Sequence, residues 1–349
     1  MRVVGLQAVA PWLLLLPLLV AAPQASGCSS GPEAPPPAAG DAPRVFRVVF
    51  LSDTHIIGPQ YVCCKESNGV DNASIVRTVE RLALTRDAIN AIQPPSEAAF
   101  VLGDIVHAAY TERDAAWYRD NETAFSRARE LFQGFKMPVH LVLGNHDYEI
   151  DCGKAASYPR ELTHQLFQEF LGTPPYQAVD LGGFKFLLTN GQLGSTWEAM
   201  GPGCATSTAS LGREQMEWLA AQLAQKKPTV VLSHYMRILH SEKEEGPFKS
   251  MPDALDAHSN VKAFLAGHTH RWIDLTKFNK GVPHHVLGAT RYDADNFWLV
   301  EFDGVNGTFR ILDQEKAITT STCARTYSYA GDPAEVEGAP EAGDCTTGL

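Results

Sequence analysis

Short apolar runs that stop abruptly on polar clusters punctuate this chain. Val48-Val49-Phe50-Leu51, Phe100-Val101-Leu102, residues 139–143 and Val230-Val231-Leu232 each read as a strand. They lead, in order, to Asp53-Thr54-His55, Gly103-Asp104, Gly144-Asn145-His146-Asp147 and His234. Phe264-Leu265-Ala266 plays the same part before Gly267-His268-Thr269-His270. Between these runs, Ile75, Val79, Leu82, Ile89 and Ile92 recur at helical spacing and predict a helix over 72–92, stopped by Pro94-Pro95. Further helices are predicted over 113–132, 160–171 and 211–225, with a strand over 184–188. Beyond His270 the helical pattern stops. Residues 286–287, 297–302 and 308–312 predict antiparallel strands, with turns at Asp303-Gly304 and Asn306-Gly307.

Repeated strand-then-polar-loop signals place side chains at the carboxyl edge of a sheet, where open α/β sheets keep their sites. Asp53, Asp104, Asn145, His55, His234, His268 and His270 converging there would offer carboxylate, amide and imidazole donors together. Such a mixed oxygen and nitrogen set suits a hard-to-borderline divalent cation. One ion would not use them all.

The clusters, in their order, resemble the signature of the calcineurin-like metallophosphoesterases: D-x-H, G-D, G-N-H-[DE], H and G-H-x-H. All five parts stand between Asp53 and His270. The resemblance implies an α/β fold, a four-layer α-β-β-α sandwich of two mixed sheets flanked by helices. It also implies two metal ions of the Zn, Mn or Fe type, one held by Asp53, His55 and His270 and the other by Asn145, His234 and His268. Asp104 would bridge them. Two-residue spacing puts Asp53 and His55 on one face of an extended segment, able to chelate one ion. Two ions about 3.5 Å apart would hold a hydroxide as the nucleophile for in-line attack on phosphorus. His146 would face the substrate as a catalytic residue, with Asp147 orienting it or raising its pKa.

His107 stands three residues after Asp104, where purple acid phosphatases carry a metal-binding Tyr, which argues against that subgroup. His107, Arg237 and Arg271 are candidate substrate contacts, and Tyr148 and Tyr235 flank the motifs. Trp197 belongs to a Gly/Ser-rich stretch that could cap a substrate.

Residues 1–27 read as a secretory signal: Arg2, an apolar run too short to span a bilayer, then Ala25-Ser26-Gly27. Residues 28–43 form a Pro/Ala-rich linker, 44–320 the catalytic domain, and 321–349 a tail carrying two cysteines. Cys28 after small residues offers a lipid-anchor alternative, while Asn72, Asn121 and Asn306 stand in glycosylation-type triplets. Either route ends outside the cytoplasm. Setting Cys28 aside, six of the seven cysteines form an even set that fits disulfides in an oxidising compartment. Vicinal Cys63 and Cys64 are not expected to pair, and one of them is expected to reach Cys152. A net charge of −11 without a long basic cluster excludes a nucleic-acid surface.

The reading is therefore an exported hydrolase of small phosphate esters, leaning to phosphodiesters, because Gly-Asn-His-Asp with Ala-Gly-His-Thr-His resembles that side of the superfamily. A secreted phosphomonoesterase or nucleotidase for phosphate scavenging is the alternative. A non-catalytic metal-binding module of the same fold would have lost a ligand or the catalytic His, and none is lost here.

Overall fold

A computed structural model describes residues 42–66 and 68–312. The expected signal segment, most of the linker, the tail, Cys28, Cys323 and Cys345 lie outside the described residues. The chain opens with β1 (Val45–Leu51), α1 (Gly69–Ile75), α2 (Thr78–Ala91) and β2 (Ala98–Leu102). Helices α3 (Ala115–Asp120) and α4 (Ala124–Gln133) precede β3 (Val139–Val142), and α5 (Arg160–Leu171) follows it. The second half runs through β4 (Gln177–Leu181), β5 (Phe184–Leu188), α6 (Arg213–Leu223), β6 (Thr229–Leu232), α7 (Met251–Asp256) and β7 (Val261–Ala266). It closes with β8 (Ile273–Asp274), β9 (His284–Val286), β10 (Phe297–Asp303) and β11 (Thr308–Ile311).

Two mixed sheets result, ordered β11-β10-β1-β2-β3 and β4-β5-β6-β7-β9-β8. In the first sheet β1, β2 and β3 pair in parallel and β10 pairs antiparallel with both β1 and β11; in the second β5, β6, β7 and β9 pair in parallel, with β4 and β8 as antiparallel edges. Side-chain alternation explains the layering. Val48 and Phe50 of β1, with Phe100 and Leu102 of β2, enter the apolar layer between the sheets. Val49, Leu51, Ala99 and Val101 point the other way, onto helices α2, α4 and α5. Val230 and Leu232 of β6 join the inner layer, whereas Val231 meets α6 and α7. Three apolar layers make four structural ones, as expected. Strands buried on both faces read as unbroken apolar runs, which is why they were visible in the sequence.

The helix expected over 72–92 is two helices. Arg81 is buried, and its Nη1 donates to the Ser74 carbonyl at 3.0 Å and to the Arg291 carbonyl at 2.6 Å. At the break between α1 and α2 the Ser74 carbonyl also accepts from Arg77 N–H at 3.1 Å. The helix expected over 113–132 also divides. Thr123 caps α4 by accepting from Ser126 N–H, and Ser126 Oγ accepts in return from Thr123 N–H. Strand β9 is parallel to β7 rather than antiparallel, because the chain crosses back before entering it. Helix α7 and strands β4 and β8 carried no pattern strong enough to predict them.

The disulfides differ from expectation. Cys63 pairs with Cys64, and Cys152 pairs with Cys204, their Cα atoms 5.6 Å apart. The loop after Asn145 folds against the 191–210 segment rather than toward Cys63, as the Gly153 N–H to Ala199 carbonyl bond shows. The Cys152–Cys204 bridge closes a loop of 52 residues. Chain-entropy reasoning gives such a link about 4 kcal/mol of stabilisation. Cys152→Ser should therefore lower the denaturant midpoint of the oxidised chain, and reducing agent should do the same to the parent.

Candidate metal centre

The loops after β1, β2 and β3 of one sheet meet the loops after β6 and β7 of the other. The loops after β1, β2 and β7 turn at once. Asp53, His55, Asp104, His268 and His270 all adopt positive φ, between 48° and 74°. They are five of the eight non-glycine residues with positive φ among the described residues. Left-handed backbone costs such residues about 1–3 kcal/mol each and gathers where side chains must be aimed.

Close approach adds a second constraint. A Cβ on Gly144 would collide with the Asp104 carboxylate and backbone and with His234. One on Gly267 would collide with Ser52 and Asp53. Gly144→Ala is therefore expected to displace Asp104 and to weaken Mn(II) binding by about tenfold or more, read by titration calorimetry.

Two groups of donors share Asp104. In the first, His55 Nε2 lies 3.1 Å from His270 Nε2, 3.5 Å from Asp104 Oδ2 and 4.0 Å from Asp53 Oδ1. His270 Nε2 is 3.4 Å from Asp53 Oδ1. In the second, Asn145 Oδ1 sits 3.0 Å from His234 Nε2 and 2.9 Å from His268 Nδ1, with His234 Nε2 3.1 Å from Asp104 Oδ2. Asp104 Oδ2 is buried and accepts no aligned hydrogen bond, although imidazole nitrogens of both groups surround it.

The charges suit a bound cation. Burial alone would raise the Asp104 carboxyl, but His234, His146 and His268 hold it well below the usual carboxylate range. Against its own burial, His234 is pushed up to about 9 by the Asp104 carboxylate. Its Nδ1 donates to the Leu102 carbonyl at 2.7 Å, so the extra proton would sit on Nε2, between Asp104 and Asn145. Burial, then His234, lowers His268 to about 4, leaving a bare imidazole. A proton on His234 Nε2 would stand between oxygen and nitrogen donors, in the place a metal ion would take. The donor set fits the borderline cations expected of it.

The half-buried His146 ring stacks on His107 at 4.7 Å and meets His55 edge-on at 4.8 Å. Ring nitrogens of His55, His107 and His146 form a further close group. Backbone N–H of His146 donates to Asp104 Oδ1 at 2.8 Å. Asp147 does not reach the His146 ring with a hydrogen bond. Its Oδ1 accepts from Ile105 and Val106 N–H, and its Oδ2 from Gly144 N–H at 2.7 Å, so it ties the second and third loops together.

Of the expected substrate contacts, His107 lies beside the donors. His107 is 8% exposed, with Nδ1 against His55 and Nε2 against Glu66. Arg237 is held by Asn279, the Pro252 carbonyl and Asp256, which neutralises it away from the donors. Arg271 is exposed. Tyr235 stacks on His268 at 4.2 Å and donates to the Thr206 carbonyl. Tyr148 is bonded to His164 and Asn190. Trp197 is buried beside Tyr148 and Tyr235 rather than capping a pocket. Sequence reasoning missed Glu66 and Arg291, which no local pattern marks.

The chain belongs to the calcineurin-like phosphoesterase family, whose model matches residues 46–272. A search of curated proteins returns no match. Among solved structures, a PhoD aligns at TM-score 0.48 and 12% identity, over 77% of this chain and 66% of its own. Purple acid phosphatase PPD1 of yellow lupin seeds aligns at TM-score 0.45 and 16% identity, over 78% and 54%. The sulfate thiohydrolase SoxB of Thermus thermophilus aligns at TM-score 0.41 and 14% identity, over 79% and 56%. The chain thus spans between about half and two thirds of these proteins' lengths.

Proposed function

We propose that this chain is a metal-dependent phosphoester hydrolase with a two-ion centre, acting outside the cytoplasm on small phosphate esters and favouring diesters. One observation carries the reading: the buried Asp104 Oδ2, without an aligned donor, stands between two groups of imidazole, amide and carboxylate donors. Asp53, His55, Asp104 and His270 would hold one ion, and Asp104, Asn145, His234 and His268 the other. Bound ions of this kind supply Lewis acidity toward phosphoryl oxygens and bring the pKa of water near neutrality.

The chain's own residues do the rest. The Asp53 and Asp104 carboxylates keep the centre anionic enough to hold cations. His146 Nδ1 or Nε2 would donate a proton to the departing ester oxygen, or a hydrogen bond to a phosphoryl oxygen. Left-handed backbone at Asp53, His55, Asp104, His268 and His270 aims their side chains before substrate arrives, so little reorganisation is left for the reaction. The Cys152–Cys204 disulfide supports an oxidising compartment. Among the described residues no helix is long and apolar enough to cross a membrane. Turnover of bis-p-nitrophenyl phosphate beside p-nitrophenyl phosphate tests substrate class: preference for the monoester would replace the diester reading with a secreted phosphatase.

A further inference from the structure

We propose that His107 is a positioning residue: with Glu66 behind it, it fixes the tautomer of His55 so that the His55 Nε2 lone pair faces the cation site. The inference rests on the metal-centre reading above. His107 Nε2 lies 3.1 Å from Glu66 Oε1, and His107 Nδ1 lies 3.2 Å from His55 Nδ1. Glu66 is itself fixed. Tyr61 O–H donates to its Oε1 at 3.0 Å, and Arg291 Nη2 donates to its Oε2 at 3.3 Å.

The direction of every proton then follows. An ionised carboxylate only accepts, so His107 Nε2 must carry the hydrogen that faces Glu66. A neutral imidazole has one N–H, which leaves His107 Nδ1 as an acceptor. The group facing it is His55 Nδ1, which must therefore donate. His55 Nε2 is left bare, 3.1 Å from His270 Nε2 and 3.5 Å from Asp104 Oδ2. In the reverse arrangement two lone pairs would face each other between His107 and Glu66, with no proton between them. A second proton on His107 would bury an imidazolium beside His55 and His146, which burial disfavours.

Arg291 extends the chain of contacts back to the first motif. Its Nε donates to Ser74 Oγ at 3.0 Å, its Nη2 to the Asp71 carbonyl at 3.1 Å, and its backbone N–H to the Asp53 carbonyl at 3.1 Å. One arginine thus steadies both the carboxylate end of the relay and the backbone of another expected ligand. Partners of this kind behind a metal-binding imidazole typically change affinity by about 10–100-fold when removed.

Long-range proton–nitrogen correlation NMR on the metal-free parent chain tests the tautomer directly, with His55 assigned from the peak lost in His55→Gln. The expected result is protonation of His55 at Nδ1 and of His107 at Nε2; a His55 proton on Nε2 would overturn the proposal. Calorimetric titration with Mn(II) adds a second test. His107→Ala should weaken one of two binding events by about 10–100-fold and leave the other unchanged. Parent-like affinity at both would overturn the relay. A parent that binds no Mn(II) would instead remove the metal-centre reading, while the NMR result still judges the tautomer.

Discussion

Asp104→Ala is expected to leave the chain unable to retain either ion and to lower turnover by at least about 10³-fold. The size follows from losing Lewis-acid stabilisation of several kcal/mol, when each 1.36 kcal/mol is about tenfold in rate. The site predicts the breadth of the effect. Among the described residues Asp104 is common to both donor groups, its Oδ2 3.5 Å from His55 Nε2 and 3.1 Å from His234 Nε2. Its removal also strips His234 of the carboxylate that pushes its pKa to about 9. Asp104→Asn serves as the control for shape, because its amide oxygen can still accept from His146 N–H as Oδ1 does at 2.8 Å. Both variants should lose metal in elemental analysis while keeping a cooperative thermal transition. Retention of two ions by Asp104→Ala would contradict the bridging assignment.

His146→Ala is expected to do the opposite: full metal content with kcat lowered by about 10²–10⁴-fold, the range for a positioned general acid. Its ring stands beside the donors rather than between them, stacked on His107 and edge-on to His55. Its backbone N–H, which the substitution retains, steadies Asp104 Oδ1. KM should change little if the imidazole acts in the transition state alone. Parent-like turnover by this variant would remove His146 from the mechanism.

The sequence was most legible where one physical constraint dominated. Strands such as 48–51 and 230–232 are buried on both faces, so their apolar runs stood out without alternation. The motif glycines and histidines followed them closely, and the structure brings together all seven donors expected to hold metal. Less was legible where a residue's role depends on partners distant in the chain. His107 and Arg237 have the right chemistry for a phosphate, yet Glu66 and His55 claim the first, and Asp256 with Asn279 the second. Glu66 and Arg291 are 225 residues apart and meet only in the fold. Disulfide pairing failed for the same reason: Cys152 finds Cys204 through the packing of two loops, not through nearness to a shared motif.

The most direct measurement is turnover of bis-p-nitrophenyl phosphate by chelator-stripped chain, before and after titration with Mn(II), with bound metal counted alongside. The account predicts negligible turnover without metal and activity that rises to a plateau at two ions per chain. Turnover that persists without metal, or two bound ions with no hydrolysis of diester or monoester, would contradict it.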